Sequence, residues 1–338
     1  SNLQRKIAPT CERQGDYDRA LACMTQALNT LTAVSSRYPV ERARVLNEIG
    51  FIYMRRAQLD EAEQYLQRAL WSVEPSTQPG VVASIYNRLG GVYFIKEDLK
   101  TASEYARRSL ALRQETGDLS GVARMYNNLA MLEWRQGNWD EAIAIFTNAG
   151  KLHAELHDVE GEAEVHTNLG LLLTEKGELA EARRLLEAAL RTGQQIGHAF
   201  VGALANQALS YCALAGQQWQ ESLEYAARGE QVFRDMGFAE NLIDVLLVSG
   251  LARIGLGRLG EAYTAYQQIN AALLERGDDP GALLQKARAE CLRGRILRAQ
   301  GDLDGAREVL EDCAEQFQTL DSRLDLGRAL VELARLSQ

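Results

Sequence analysis

The sequence predicts an all-α fold, a right-handed α-solenoid superhelix of helical hairpins with about 17 helices. The main observation is that related strings recur every 40 residues, as in GNWDEAIAIF from residue 137 and GELAEARRLL from residue 177. Within each copy the apolar residues recur at the spacing of an amphipathic helix. Proline is scarce, with 5 residues in 338, whereas glycine, with 28, recurs at the turns between helices.

Two small residues mark each repeat, one in its first helix, helix A, and one in its second, helix B. The two markers lie twelve residues apart. Small side chains are expected there because the two helices cross at close range, and a larger side chain would push their axes apart. The first marker runs Ala8, Gly50, Gly90, Ala130, Gly170, Ser210, Gly250 and Gly294, and the second runs Ala20, Ala62, Ala102, Ala142, Ala182, Ser222, Ala262 and Ala306.

Turn residues predict where the helices begin and end. Glycine closes one helix and aspartate caps the next, as in Gly117-Asp118. Acidic residues such as Asp60 open helix B, where they meet the positive end of the helix dipole. Four extra residues before Gly294 make about one helical turn, so that helix A is expected to be longer. The first helix A contains Pro9 and is expected to be short or to begin there.

The repeats predict one continuous solenoid over residues 1–338, although the length alone suggests about two domains. No dedicated polar cap follows the last helix, so we expect the sequence to be a segment of a longer protein. The predicted repeats are 1–38, 43–76, 83–116, 123–156, 163–196, 203–236, 243–276 and 283–320, followed by a terminal helix at 323–338.

The repeat resembles the tetratricopeptide repeat. With the first marker numbered position 8, position 11 is aromatic or apolar (Tyr53, Tyr93), position 20 is the second marker and position 24 is large and apolar (Leu66, Phe146). The period of 40 exceeds the usual 34. This long variant is similar to the repeats of kinesin light chains, of Partner-of-Inscuteable-type adaptors, and of the bacterial maltose activator and Rap-type regulators. The resemblance implies a scaffold that binds a protein or peptide and needs no cofactor.

Charge and cysteine content narrow the function classes. The net charge of −9 disfavours general nucleic-acid binding. No apolar run is long enough to cross a membrane. The five cysteines form no C-x-x-C pair and are expected to be buried thiols in a reducing, cytoplasmic environment.

Catalytic chemistry is not expected. The sequence has no nucleotide-binding glycine motif and no nucleophile elbow. His153 and His157 stand four apart, but the zinc-protease pattern needs Glu directly after the first His. We therefore expect two exposed imidazoles at a helix end and no metal site.

Amide side chains recur on the face of helix A that the resemblance implies lines the groove, at positions 2, 5, 6, 9 and 12. In kinesin-light-chain-like and polarity-adaptor repeats, comparable asparagines hold the backbone of an extended peptide, since an amide both donates and accepts hydrogen bonds. The alternative is that Asn tolerates a wet helix surface. The candidates are Asn47, Asn87, Asn127, Asn128 and Asn168.

Arginines share these lining positions and predict an acidic partner, because a guanidinium binds carboxylates in a bidentate way. The alternative is a solvated face of mixed charge. Phe94 and Trp134 also fall on lining positions, where they either form apolar pockets or pack between repeats. The arginines are Arg44, Arg88 and Arg124 in the first half and Arg288, Arg295 and Arg298, on one stripe of the eighth helix A, in the second.

Two functions follow from these observations. The first is a non-catalytic scaffold that binds a protein or peptide in its concave groove, as part of a larger signalling or regulatory protein. The alternative is the ligand-sensing and oligomerisation domain of a bacterial regulator, with an oligopeptide or a small inducer as effector. Nucleic-acid binding remains conceivable only through the Arg288 stripe.

Overall fold

A computed structural model describes residues 17–33, 38–56, 58–276, 280–320 and 322–336. Within these ranges the chain forms sixteen helices and no strand, which confirms the all-α prediction. The first helix A, with Pro9, lies outside the described residues, as do Cys11 and Gly277.

Even-numbered helices are the A helices of the repeats, and odd-numbered helices are the B helices. Within each unit, helices that follow one another in the chain pack together, and A helices of successive hairpins also contact each other. The helices are α1 (Tyr17–Ala33), α2 (Pro39–Arg55), α3 (Leu59–Leu70), α4 (Pro79–Ile95), α5 (Leu99–Glu115), α6 (Leu119–Arg135), α7 (Trp139–Glu155), α8 (Val159–Lys176), α9 (Leu179–Gln195), α10 (Ala199–Ala215), α11 (Trp219–Met236), α12 (Ala239–Gly255), α13 (Leu259–Arg276), α14 (Pro280–Gln300), α15 (Leu303–Thr319) and α16 (Arg323–Arg335).

Two compact units divide the chain. Unit 1 is Ser1–Asn168 and unit 2 is Leu169–Gln338, with the division inside α8. In unit 1, residues such as Ile49, Leu66 and Ile85 are fully buried between hairpins, and in unit 2 Phe233 has the same role. Burial of this apolar surface against the next hairpin is the main force that stabilises each unit.

The first-marker glycines lie where helices A and B cross, as predicted. A Cβ atom on Gly50 or Gly170 would come within 2.6 Å of a leucine side chain at position 24, Leu66 or Leu186. Gly90 differs, since its nearest neighbour would be a backbone oxygen at 3.4 Å and position 24 of its repeat is Ala106. Gly50 and Gly170 therefore leave room for the leucine at position 24, which a larger side chain would displace.

The predicted helix ends are present. Gly117 adopts a φ of 68° after α5, and the Asp118 carboxylate accepts a hydrogen bond from the Gly121 N–H at the start of α6. Asp158 caps α8 in the same way. The helix with four extra residues, α14, is 21 residues long, against 17 for α2, α4 and α6.

Candidate functional site

The lining positions of the A helices form a surface in each unit. We call these surfaces the inner face of unit 1 and the inner face of unit 2. The inner face of unit 1 carries Arg44, Asn47, Glu48, Phe51, Ser84, Asn87, Arg88, Phe94, Arg124, Asn127, Asn128, Trp134, Glu164 and Asn168, and that of unit 2 carries Tyr211, Asp244, Arg288, Arg295, Arg298, Arg328, Glu332 and Arg335, with Glu175 and Asp325 adjoining.

An amide ladder links successive A helices of unit 1. Asn128 Nδ2 donates to Asn87 Oδ1 at 2.8 Å, and Asn168 Nδ2 donates to Asn127 Oδ1 at 3.1 Å. Each bond joins position 6 of one repeat to position 5 of the repeat before it, 41 residues earlier. Four of the five predicted asparagines therefore lie together, bonded to one another in two pairs.

Two of the five asparagines are buried and use their amide N–H groups in hydrogen bonds between repeats. Asn47 and Asn127 are each only 5% exposed. Asn127 Nδ2 donates to Glu164 Oε1 at 3.1 Å, and Asn47 Nδ2 donates to Ser84 Oγ at 3.3 Å. Position 5 points towards the next A helix, so these two amides hold adjacent repeats together.

The other three asparagines, Asn87, Asn128 and Asn168, are half-buried. An amide offers two N–H donors and a carbonyl acceptor. Among the described residues, Asn87 Nδ2 donates no hydrogen bond, and the Oδ1 atoms of Asn128 and Asn168 accept none. This part of the ladder thus keeps both a donor and acceptors for a ligand.

The arginines of unit 1 differ in their availability. Arg88 is bound by residues of the preceding A helix. Its Nη1 donates to the backbone carbonyl oxygen of Asn47 at 2.6 Å, its Nη2 lies 3.0 Å from Glu48 Oε1, and its guanidinium lies over the Phe51 ring. Arg44 and Arg124 are exposed, and Arg124 donates to Ser120 Oγ at 3.1 Å. Of the three predicted lining arginines of this unit, Arg44 and Arg124 are the two that are exposed to solvent.

The predicted aromatic residues are both half-buried. Phe94 packs against a cluster that includes Ala102 and Leu129, with the Arg135 guanidinium 5.6 Å from the centre of its ring. Packing between repeats thus occupies Phe94. Trp134 holds the equivalent position on α6.

In unit 2, the arginine stripe of α14 is paired with carboxylates of α16. Arg288 Nε donates to Asp325 Oδ2 at 2.9 Å, and its Nη2 lies 2.8 Å from the same oxygen. Arg298 and Arg295 lie 3.2 Å and 3.7 Å from Glu332. The stripe was expected to be open to an acidic partner, but the chain itself supplies carboxylates to it.

Arg328 of α16 extends this network across the inner face of unit 2. Its Nη2 lies 3.9 Å from Glu175 Oε1 at the end of α8, and its guanidinium lies 5.7 Å from the centre of the Tyr211 ring on α10. It also contacts Asp325 at 3.5 Å. The last helix is therefore held to helices more than three repeats earlier.

Asp325 is ionised in this network. Burial alone would raise the pKa of its carboxyl, but the charges and hydrogen bonds of Arg288, Arg328 and Ser322 outweigh burial and hold the pKa below its usual value.

Sequence reasoning missed Asp325 and Glu332. The available signal was spacing, because Arg288 and Asp325 stand 37 residues apart, as do Asn127 and Glu164.

The expectation of two exposed imidazoles is wrong for His153. Its side chain is 2% exposed, and its Nδ1 lies 2.9 Å from Asp158 Oδ2. The ring fits because Gly161 has no side chain, since a Cβ there would lie 2.2 Å from Nδ1. Arg113 contacts Asp118 in the same way one repeat earlier. His157 is exposed, as expected, in the turn that follows.

Other classes of site find no support in the part of the chain that the structure describes. No group of three His, Cys, Asp or Glu residues there could hold a metal ion. None of the described helices is both long and apolar enough to cross a bilayer. Cys212, Cys291 and Cys313 are buried free thiols, as expected, whereas Cys23 is partly exposed.

The family follows from comparison with known families. The profile described as tetratricopeptide repeat matches residues 1–71, 41–115, 81–149 and 121–195, and a second profile of the same description matches residues 287–312. The chain belongs to the tetratricopeptide repeat family. The predicted resemblance is thus confirmed, and the alternating helices of both units are tetratricopeptide hairpins.

Solved tetratricopeptide structures share the fold across this chain. A Rap protein complexed with Competence and Sporulation Factor has a TM-score of 0.66 at 15% identity, over 99% of this chain and 97% of that one. The apo form of RapI scores 0.62 at 18% identity, over 83% and 99%. A signal transduction ATPase with a repeat sensor from Pyrococcus horikoshii scores 0.58 at 17% identity, over 98% and 47%. A search of curated proteins gives no match. At these identities the similarity shows the fold alone.

Proposed function

We propose that this protein is a non-catalytic scaffold that binds an extended peptide segment of a partner protein along the inner face of unit 1. The observation that carries the proposal is the unused hydrogen-bonding capacity of three half-buried amides, Asn87, Asn128 and Asn168. An extended segment has unpaired backbone N–H and C=O groups, and these match a surface that both donates and accepts.

The ladder also favours binding because its amides are already oriented. Asn128 and Asn168 each donate one hydrogen bond to the preceding repeat, so they lose little conformational freedom when a ligand binds. A flexible exposed amide would lose more. The same bonds that stiffen unit 1 therefore prepare it to hold a ligand.

Acidic side chains on the partner would be favoured at two points. Arg44 and Arg124 are exposed at position 2 of their repeats, on either side of Ser84 at the same position. A guanidinium at such a place attracts a carboxylate and discriminates against a basic segment. The Rap protein that shares this fold is complexed with Competence and Sporulation Factor, which supports a ligand-holding role for such a solenoid.

The test is selection of a binder followed by amide removal. A library of random displayed peptides is panned on the folded protein, and the selected peptide is synthesised with a fluorophore for anisotropy measurements. We expect Asn128→Ala with Asn168→Ala to weaken binding at least tenfold, since each lost hydrogen bond is worth about 1 kcal/mol.

The matched control is Gln64→Ala with Gln114→Ala, which removes two exposed amides from B helices of the same unit. We expect this pair to leave the affinity unchanged. Equal weakening by both pairs, or failure to select any peptide, would contradict the proposal.

A further inference from the structure

Three arginines surround one buried carboxylate on the inner face of unit 2. Glu332 is 3% exposed, and Arg335 Nη1 donates to its Oε1 at 2.7 Å. Arg298 Nη2 lies 3.2 Å from Oε2, and Arg295 Nη2 lies 3.7 Å from Oε1. We call these four residues the Glu332 cluster.

The Glu332 cluster leaves its hydrogen-bonding capacity largely unused. A guanidinium has five N–H donors, yet the Nε atoms of Arg295 and Arg298 are buried without a hydrogen-bond partner. Glu332 Oε2 also accepts no hydrogen bond. Leaving the N–H donors unpaired costs free energy, which an oxyanion that accepted hydrogen bonds from the guanidinium groups would offset.

The charge of the cluster is unbalanced as well. Three guanidinium groups face one carboxylate, and the nearest other acidic residue of α16, Asp325, is already bound by Arg288, Arg328 and Ser322. Asp244 on α12, another acidic side chain of the inner face of unit 2, accepts a hydrogen bond from Gln285. A surplus of positive charge thus remains around Glu332.

Access from solvent distinguishes the arginines from the carboxylate. The side chains of Arg295, Arg298 and Arg335 are 22%, 31% and 54% exposed, whereas that of Glu332 is 3% exposed. The carboxylate lies beneath and orients the arginines, whose partly exposed side chains stay within reach of a ligand. Such a preoriented fork is the arrangement that binds oxyanions in a bidentate way.

We propose that the Glu332 cluster is a binding site for an oxyanion. The occupant is either the carboxylate of an acidic peptide or a free anion such as phosphate, and both offer the oxygen atoms that the arginines lack. Glu332 is a positioning residue in this site. The site shares no residue with the amide ladder of unit 1, so its test is independent of the test of the proposed function.

The experiment measures binding of two probes, fluorescein-labelled tetraglutamate and inorganic phosphate, with labelled tetraglutamine as the neutral control. We expect Arg298→Gln with Arg335→Gln to weaken tetraglutamate binding at least tenfold, since two charge-assisted contacts are lost. The control Arg258→Gln with Arg307→Gln removes the same charge from exposed positions outside the cluster and should bind as the wild type does. Circular dichroism melting verifies that each variant is folded. If the double variant is unfolded, Arg335→Gln alone takes its place, and we expect it to weaken tetraglutamate binding about threefold.

Displacement of tetraglutamate by phosphate would support a free anion as occupant, and binding of tetraglutamate without displacement would support a peptide carboxylate. Equal weakening by the cluster and control pairs would reduce the effect to net charge and overturn the proposal. The proposal would also be overturned if neither probe bound the wild type, or if tetraglutamine bound as tightly as tetraglutamate.

Discussion

The two units use the same repeat but join their A helices with different chemistry. On the inner face of unit 1, neutral amides bond to one another, as Asn128 does to Asn87, and Arg88 with Glu48 is the one ion pair between A helices described above. On that of unit 2, arginines bond to buried carboxylates, as Arg288 does to Asp325. Neutral hydrogen bonds contribute little each and are cheap to break, whereas a broken buried ion pair leaves a charge without its partner. The amide ladder of unit 1 is therefore suited to exchange contacts with a ligand, and the Arg288–Asp325 pair of unit 2 to hold its own helices together.

The largest expected effect concerns the helix crossing that both units share. Gly170→Leu should destabilise the protein by about 4 kcal/mol or more, because even a Cβ would lie 2.6 Å from Leu186. Gly90→Ala is the contrasting change and should leave the free energy of unfolding unchanged or raise it by up to about 1 kcal/mol, since its Cβ would meet nothing closer than 3.4 Å and alanine favours a helix more than glycine does. Urea unfolding measures both, and equal losses of stability would contradict the crossing geometry.

A smaller effect is expected for the ion pairs of unit 2. Asp325→Asn should lower the free energy of unfolding by about 3 kcal/mol, because Arg288 and Arg328 would lose the charge of a carboxylate that is buried between them. Arg328→Gln should cost less, since its contact with Glu175 is 3.9 Å long. If Arg328→Gln lowered the free energy of unfolding more than Asp325→Asn did, the Arg288–Asp325 pair would not be the more stabilising of the two contacts.

The pH dependence of unfolding gives an independent check of Asp325. Its pKa is lowered from 3.8 in the folded protein, so the stability it contributes is present above pH 3.8 and is lost as the pH falls through the lower, folded pKa. We expect the wild type to be more stable than Asp325→Asn at pH 6, with a difference that shrinks as the pH approaches 3. A difference that stays constant over this range would mean that Asp325 is not ionised in the pair.

The smallest effect is expected for the amide ladder. Asn128→Ala should lower the free energy of unfolding by about 1 kcal/mol, as for a single neutral hydrogen bond between half-buried groups. Thermal melting compares this variant with Gln114→Ala, which removes an exposed amide from a B helix. The difference between the two variants measures the contribution of the hydrogen bond. A loss as large as that of Asp325→Asn would remove the contrast between the units.

Much of this fold could be predicted because periodicity and turn chemistry are local. The spacing of Gly50 and Ala62, the capping residue Asp118 and the longer α14 were all apparent in the sequence and are present in the structure. The pairing of side chains between A helices could not be predicted from the sequence, because it depends on how far neighbouring helices are offset along their axes. That offset places Asn168 beside Asn127, 41 residues away, and Asp325 beside Arg288, 37 away.

The histidine shows the same limit at a smaller scale. Sequence spacing placed His153 near a helix end, where solvent exposure is common. The end of α7 instead packs against the start of α8, where Gly161 leaves room for the ring and Asp158 supplies a partner. Burial of a side chain at a helix junction depends on the residue opposite it, and that residue is known only once the helices are packed.

Hydrogen exchange with a bound peptide tests the division of roles between the units most directly. Amide exchange of the full chain is followed by mass spectrometry with and without a peptide selected on the folded protein. We predict slower exchange in α4 and α6 and in the part of α8 up to Asn168, with no change in α10 and α12. Protection confined to α10, α12 and α14 would contradict the assignment of the peptide-binding face to unit 1.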